Sequence, residues 1–312
     1  MAMAAVRRLL SEKSIRLTWV AGEQVVPLLK RTFPEAEILA VSESRLLKQG
    51  RLQALREVLR IQPELAFRRW DRVVVGYRDS RYRLLAGLGL SGVRKKFEAP
   101  SGVYHADVYY ELLGGDPKSL RLKPLHPFEV LKAQGGVSDE GRGKRGWVLA
   151  PGGAKNLLRD DALRRYPLEH YREVASWALN RGHLVTVMGS TSDEWVRSAF
   201  SGLQVRFELG TISLAELPLW LGQFERLITH DSGPMHLGYL AGIPVTALFG
   251  PTRAEEKVPR NHAALGGRVI QGGQGLSCAP CYDGRDYADC SHQRCLREVT
   301  PEECVDTSPG VR

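Results

Sequence analysis

The sequence predicts an α/β protein whose strands run mainly parallel, and three observations carry this prediction. Apolar stretches of strand length alternate with amphipathic stretches of helix length along the 312 residues, which is typical of strands joined by crossover helices. In the second half, each apolar stretch runs into a turn rich in Gly, Ser, Asp or Thr. Between residues 114 and 146 the alternation gives way to G-G-D-P-K, H-P, G-G and G-R-G-K-R-G, a composition typical of a connection between domains. We therefore predict two domains, residues 1–145 with a linker at 114–145, and residues 146–312.

Hydrophobic periodicity places three strands and five helices in the first domain, and five strands and three helices in the second. The first-domain strands are Ile15–Ala21, Ala36–Val41 and Asp71–Tyr77, and its helices are Ala4–Ser11, Gln24–Arg31, Leu52–Arg60, Arg81–Leu88 and Tyr104–Leu113. The second-domain strands are Trp147–Ala150, Leu184–Met188, Val205–Leu209, Arg226–Thr229 and Val245–Phe249, and its helices are Leu168–Asn180, Leu214–Leu221 and Met235–Ala241. Ligands of open α/β sheets bind at the carboxyl ends of the strands, so we expect the site in the turns that follow them.

Composition and charge narrow the class of protein. With 43% hydrophobic and 25% charged residues, the chain is predicted to be globular rather than disordered or collagenous. No apolar run approaches the length of about 20 residues that spans a bilayer, and the opening residues lack the pattern of a signal peptide, so we expect a cytoplasmic protein.

Residues 1–145 carry 27 Lys and Arg against 16 Asp and Glu, a net charge of +11, whereas residues 146–312 carry 17 against 19, a net charge of −2. This excess favours an anionic partner for the first half, although a solvated basic surface is the alternative.

The most informative motif is D-S-G-P-M-H at residues 231–236. Asp231 or Ser232 can cap a helix that begins with Pro in its first turn, and Gly233 lets a ligand approach the backbone closely. The free amides and the positive dipole end of such a helix favour a phosphate, and His236 lies one turn in. The alternative is that Asp231 is only a cap and His236 an ordinary helix residue.

Two further turns are predicted to lie beside this motif. P-G-G-A-K-N at residues 151–156 supplies Gly152, Gly153 and the cation Lys155, and it is followed by Arg164, whose guanidinium can clamp phosphates. In G-S-T-S-D-E at 189–194, Asp193 or Glu194 can accept hydroxyl groups of a ribose, or simply cap the helix that follows. The sequence lacks G-x-G-x-x-G and G-x-x-x-x-G-K-[ST] in the right context, which argues against a dehydrogenase and a P-loop ATPase.

Taken together, D-S-G-P-M-H, the following A-G-I-P-V-T-A-L-F-G-P-T, and the upstream A-P-G-G-A-K-N and R-R-Y-P resemble glycosyltransferase family 9, the ADP-heptose:lipopolysaccharide heptosyltransferases. The resemblance implies a GT-B architecture, with two Rossmann-like domains facing across a cleft. It implies inverting heptosyl transfer without an active-site metal or other cofactor. The implied partners are a nucleotide-sugar donor on the second domain and an anionic lipopolysaccharide core acceptor on the first, with peripheral contact at the inner membrane face and no nucleic acid.

The resemblance also implies roles for residues of this sequence. Ser232, Gly233 and His236 would hold the donor diphosphate, with Asp231 supporting the loop and Arg164 and Lys155 adding positive charge. The nucleoside would lie at Gly189, Asp193 and Glu194. The first strand and the Gly-Asp turn of the family pattern are missing before residue 15, so no general base is nominated.

The spacing C-x₂-C-x₈-C-x₄-C, formed by Cys278, Cys281, Cys290 and Cys295, is compatible with a structural zinc site or with unliganded thiols. Three readings of function stay open besides heptosyl transfer: a related transferase with another nucleotide sugar, a donor-binding protein that lacks the catalytic base, and a nucleic-acid binder suggested by charge alone. The last lacks any recognised module.

Overall fold

The computed structural model describes residues 1–77, 79–87, 89–98, 100–127, 129–132, 145–155 and 157–306. The chain divides into two compact units, Met1–Leu125 with Asn156–Arg159, and His126–Lys155 with Asp160–Arg312. Within the described residues, no helix has the length and apolar character needed to cross a membrane.

The described residues of unit 1 form seven α-helices and four strands. The helices are α1 (Ala2–Glu12), α2 (Val26–Thr32), α3 (Glu43–Leu47), α4 (Arg51–Leu65), α5 (Ser80–Leu85), α6 (His105–Leu112) and α7 (Ser119–Leu122). The strands are β1 (Thr18–Gly22), β2 (Glu37–Val41), β3 (Arg69–Val75) and β4 (Leu90–Lys96). These strands form two separate parallel pairs, β1 with β2 and β3 with β4. A core around Val41, Leu46 and Ile61 joins α3 and α4 to the first pair.

In the part of unit 2 that the structure describes there are six strands and six α-helices. The strands are β5 (Trp147–Ala150), β6 (Val185–Gly189), β7 (Arg206–Leu209), β8 (Arg226–His230), β9 (Val245–Phe249) and β10 (Arg268–Gln271). The helices are α8 (Glu129–Lys132), α9 (Leu168–Asn180), α10 (Leu217–Leu221), α11 (Gly233–Ala241), α12 (Arg294–Arg297) and α13 (Pro301–Val305). Short 3-10 helices add to these, among them Thr191–Phe200 after β6 and Ala254–Glu256 after β9.

The six strands of unit 2 are all parallel and lie in the order β10-β9-β8-β5-β6-β7. This is the doubly wound Rossmann order, and the direction of winding reverses between β5 and β8. Every residue of β5 and of β9 is buried, because helices cover both faces of a parallel sheet. The crevice at the carboxyl ends of β5 and β8 is therefore the position where this fold binds ligands.

The predicted α/β class and parallel strands are confirmed. Strand β5, helix α9 and strand β9 have the predicted bounds, and the other predicted elements differ at their ends. Helix α3 and strands β4 and β10 were not predicted. The predicted linker 114–145 contains α7 and α8, while residues 133–144 lie outside the described residues, so a domain boundary at 145/146 stays a prediction.

Candidate functional site

The turns singled out in the sequence follow neighbouring strands of unit 2. The Gly-rich turn follows β5, and β6 and β8 flank β5 on its two sides. A methyl group on Gly153 would lie 3.5 Å from Cβ of Ser232, so the turns after β5 and β8 are in contact distance. The predicted assembly of these turns at one edge of the sheet is present in the structure.

Helix α11 begins at this edge. Ser232 occupies the N-cap position with an extended backbone, but its side chain makes no capping hydrogen bond and instead donates to the carbonyl oxygen of His230 at 3.2 Å. Gly233 is exposed, and a methyl group there would meet no atom within 4 Å. The first turn of α11 thus combines a positive dipole end with open space at its first residue, which is the arrangement that binds anions. His236 is half-buried in this turn.

Arg164 lies between two buried carboxylates. Its Nη2 donates to Oδ2 of Asp161 at 2.8 Å, and its Nη1 donates to Oδ2 of Asp231 at 3.4 Å. Burial lowers the pKa of Arg164, but the charges of Asp231, Tyr287 and Asp161 outweigh burial, so the pKa is raised. Arg164 therefore remains a cation at the start of α11, and Asp231 pairs with it there.

Asp193 connects the turns after β5 and β6. Its Oδ1 accepts a hydrogen bond from the amide of Gly153 at 3.0 Å, and its Oδ2 accepts from the amide and the hydroxyl of Ser190 at 2.8 and 2.7 Å. A methyl group on Gly152 would lie 2.5 Å from Cγ of Asp193, so only Gly allows this close approach. The carboxylate thus caps the helix Thr191–Phe200 and fixes the Gly-rich turn.

The other predicted charges lie at the margin of these turns. Glu194 is exposed and pairs with Arg197 at 2.9 Å. Lys155 is exposed and forms an isolated antiparallel bridge with Asp160. Arg165 donates to the carbonyl oxygen of Gly153 at 2.9 Å and so braces the Gly-rich turn. Ribose binding at Gly189, Asp193 and Glu194 stays a prediction, as does phosphate binding by Lys155.

Lys257 is a cation that the sequence interpretation missed. It follows the 3-10 helix Ala254–Glu256, its side chain is 13% exposed, and its Nζ lies 3.7 Å from Oε2 of Glu256. Burial lowers the pKa of Lys257, while Asp231 acts in the opposite direction and Arg164 in the same direction. These interactions place Lys257 near the Asp231–Arg164 pair. The sequence signal that could have identified Lys257 is its position after β9, which is the neighbour of β8 in the sheet.

Two buried polar groups near the ends of β8 and β9 were also missed. The ring of His230 shares a hydrogen bond of 3.1 Å with the hydroxyl of Tyr171 through Nδ1. Within the described part of the chain, its Nε2 has no hydrogen-bond partner, and burial lowers the pKa of His230 to about 3. The hydroxyl of Thr252, in the F-G-P-T turn after β9, is likewise buried without a partner among those residues.

The cysteine-rich segment borders the same edge. Cys278, Cys281, Cys290, Cys295 and His292 line a cavity of about 40 Å³. Burial raises the pKa of Cys295 to about 11, with neighbouring cysteine thiols acting in the same direction. Over residues 145–155 and 157–306, as elsewhere in the described chain, no three His, Cys, Asp or Glu side chains are arranged to hold a metal ion. A structural zinc site stays a prediction.

Comparison with known proteins agrees with this arrangement. Residues 138–292 match the family model described as glycosyltransferase family 9 (heptosyltransferase). Lipopolysaccharide heptosyltransferase 2 of Salmonella typhimurium is 28% identical over 145 residues, which are 44% of this chain and 42% of that protein. The match therefore spans less than half the length of this relative.

Two solved structures share the fold over 97% of this chain. The glycosyl transferase family 9 protein from Veillonella parvula superposes with a TM-score of 0.67 at 19% identity, covering 90% of that chain. The ADP-heptose lps heptosyltransferase II of E. coli gives the same score and identity and is covered over 91%. The fold is that of the GT-B glycosyltransferases. The match to glycosyltransferase family 9 covers 155 of the 312 residues and lies mainly in the second half of the chain.

Proposed function

We propose that this chain transfers a heptose from ADP-heptose to an inner-core lipopolysaccharide acceptor, with inversion at the sugar carbon and without an active-site metal ion. The donor would bind to unit 2, and the anionic acceptor, presented at a membrane face, to the basic unit 1. The curated relatives support heptosyl transfer in general, since their names describe lipopolysaccharide and lipooligosaccharide heptosyltransferases.

One observation carries the proposal: the open amino end of α11 lies at the point where the doubly wound sheet reverses, beside the half-buried Arg164. A nucleoside diphosphate is an anion with two phosphates, and this place offers it backbone amides, a helix dipole and a fixed guanidinium. The exposed Gly233 leaves room for a phosphate to approach the backbone.

The chemistry follows from where negative charge develops. Breaking the bond between the sugar carbon and the diphosphate leaves an extra negative charge on the leaving group, while the sugar acquires oxocarbenium character. Arg164, Lys257 and the amides of α11 would stabilise the leaving diphosphate. Because these groups are held in place by the fold, they need no reorganisation as the charge develops.

Calorimetric titration tests the donor. We expect ADP to bind more tightly than UDP, and ADP binding to persist in the presence of EDTA. Preference for UDP would overturn the heptose assignment and favour a related transferase.

Variants test the site. Arg164→Ala should lower ADP affinity and reduce the transfer rate by about 10²–10³-fold, with Arg164→Lys intermediate because it keeps the charge but loses the guanidinium fork. Lys257→Met should reduce the rate in the same direction while leaving Asp231 paired with Arg164. Arg206→Ala is the matched control, because this exposed arginine begins β7 and so lies at the opposite edge of the sheet. An unchanged ADP affinity in both Arg164 variants would contradict the proposed diphosphate site.

A single-turnover assay with ADP-heptose and a lipopolysaccharide core acceptor tests transfer itself. Product formation with ADP release supports the transferase, and inverted stereochemistry of the product supports the proposed course. Tight ADP binding with no product would instead identify a donor-binding protein without turnover.

A further inference from the structure

Helix α4 presents leucine side chains on its outward face. Leu52, Leu55 and Leu59 are 62%, 53% and 58% exposed, and their spacing of three and four residues puts them on one side of the helix. The opposite side is already in the core through Ile61 and Leu65. The stripe of Leu52, Leu55 and Leu59 is therefore additional to what the fold needs, and a contiguous exposed apolar stripe is typical of an interaction surface.

Cations flank this leucine stripe along the helix. Arg56 and Arg60 each come one residue after a leucine of the stripe, which places them about 100° around the helix from it. They line an open cavity of about 460 Å³, whose other residues are Arg45, Gln49, Gln53 and Glu57. This size lies within the range of ligand-binding clefts.

A single buried carboxylate organises the arginine cavity. Glu57 is 1% exposed and accepts hydrogen bonds from Nη2 of Arg60 at 2.6 Å and from the amide of Ser42 at 2.8 Å. Nη1 of Arg45 lies 3.8 Å from its Oε2. The charged lining residues are thus three arginines and one carboxylate. Glu57 contacts two of these arginines, and Glu23 acts on Arg60 from outside the lining.

We propose that the outward face of α4 docks on a bilayer surface that contains anionic phospholipids, with the leucine stripe in the interface and the arginine cavity on headgroup phosphates. An apolar stripe beside a row of cations is the pattern of helices that lie in the plane of such a surface. Guanidinium groups bind phosphate oxygens in pairs. The choice of a lipid partner rests on the proposed function, whose acceptor is carried by a lipid.

Other occupants of this surface meet specific objections. A second copy docked through the same face would bring three further arginines against these three, and like charges repel. A soluble anion would satisfy the arginine cavity but would leave the leucine stripe in water. An anionic bilayer complements both features, and each cation near such a surface contributes about fivefold to partitioning.

Vesicle co-sedimentation tests the proposal, using vesicles of phosphatidylcholine alone and of equal parts phosphatidylglycerol and phosphatidylcholine. We expect the whole protein to bind the mixed vesicles and to be released by salt. Leu55→Asp combined with Arg56→Glu should weaken this binding by about tenfold or more. The matched control is Leu90→Asp with Lys95→Glu, which makes the same change in polarity and charge at exposed residues of β4 and should bind like the unaltered protein.

Three results would overturn the inference. These are equal loss of binding in the control, equal binding to both kinds of vesicle, and binding of inorganic phosphate at the arginine cavity without binding to vesicles. A dimer in solution that the Leu55→Asp and Arg56→Glu changes dissociate would assign the face to a second copy instead.

Vesicle binding is measured without nucleotide, and ADP is titrated into the same preparations. Loss of ADP binding with retained vesicle binding therefore rejects the proposed function alone, and the reverse rejects only the docking surface. Unchanged circular dichroism and an unchanged elution volume show that the altered protein is folded.

Discussion

His230 shows how a single buried residue ties the stability of unit 2 to pH. It ends β8 beside Asp231, and its pKa falls to about 3 because the ring is buried. An unfolded chain binds a proton on this residue near its ordinary pKa of about 6.5, whereas the folded protein does not until about 3. Between those values the unfolded state therefore holds more protons, and stability falls as the pH falls.

This linkage gives a measurable prediction. The free energy of unfolding is measured in urea for the unaltered protein and for His230→Gln. Between about pH 7 and pH 5 it should fall by about 2 kcal/mol more in the unaltered protein. The exposed His292, substituted in the same way, serves as the control and should leave the pH dependence of the unaltered protein in place. Parallel pH profiles for the unaltered protein and His230→Gln would show that burial of His230 does not control acid stability.

The site residues that could be predicted from the sequence are those that come soon after a predicted strand. Asp231, Ser232 and Gly233 were predicted from the motif, and Arg164 from the segment after the Gly-rich turn, because each follows a strand or precedes a helix. Ligand binding by these residues stays a prediction. Lys257 was not, because its contribution depends on burial beside Asp231, which no local pattern encodes. Asp193 was recognised, but its hydrogen bond to Gly153 joins residues 40 positions apart and appears only in the fold.

At the scale of elements, the two units differ in how well their strands are covered. No residue of β3 or β4 is buried, whereas every residue of β5 and β9 is. Among the described residues, the strands of unit 1 form the two separate pairs β1–β2 and β3–β4, whereas those of unit 2 form one six-stranded sheet. Each strand of these pairs is therefore an edge strand.

Hydrogen exchange tests this difference between the sheets. Amides of β1 to β4 should exchange faster than those of β5, β8 and β9 by about tenfold or more, because their strands open at a lower free-energy cost. The internal comparison within one protein removes differences in solution conditions. Equal protection of the two sets of strands would show that the separate pairs are as stable as the six-stranded sheet.

The same difference explains which elements could be predicted. The fully buried strand β5 appears in sequence as an unbroken apolar run, and it was located with its correct bounds. Strand β4, Leu90–Lys96, contains three consecutive cations, so its sequence resembles a solvated surface rather than a strand. Pairing with β3 through backbone hydrogen bonds is what makes it a strand, and side-chain pattern does not report that pairing.

At the scale of the whole molecule, charge and core are distributed unequally between the units. The basic excess lies in residues 1–145, whereas the predicted donor site and the fully buried sheet lie in unit 2. Two extensive cores cover the faces of the six-stranded sheet, while the core around α4 in unit 1 is smaller. Since the stability of a unit grows with the apolar surface it buries, we expect unit 1 to unfold first.

Thermal unfolding in the presence of ADP tests this division. A ligand that binds only the folded form of one unit stabilises that unit by about 2.7 kcal/mol at a free concentration of 100 Kd. We therefore expect two transitions, of which ADP raises only the higher, and Arg164→Ala should abolish that increase while leaving the lower transition unchanged. A uniform rise of both transitions would mean that the nucleotide also stabilises unit 1, whereas a rise of the lower one alone would place nucleotide binding in the basic half. Because the outcomes differ in the unit to which they assign nucleotide binding, this measurement tests whether the donor binds to unit 2. It does so without requiring the acceptor.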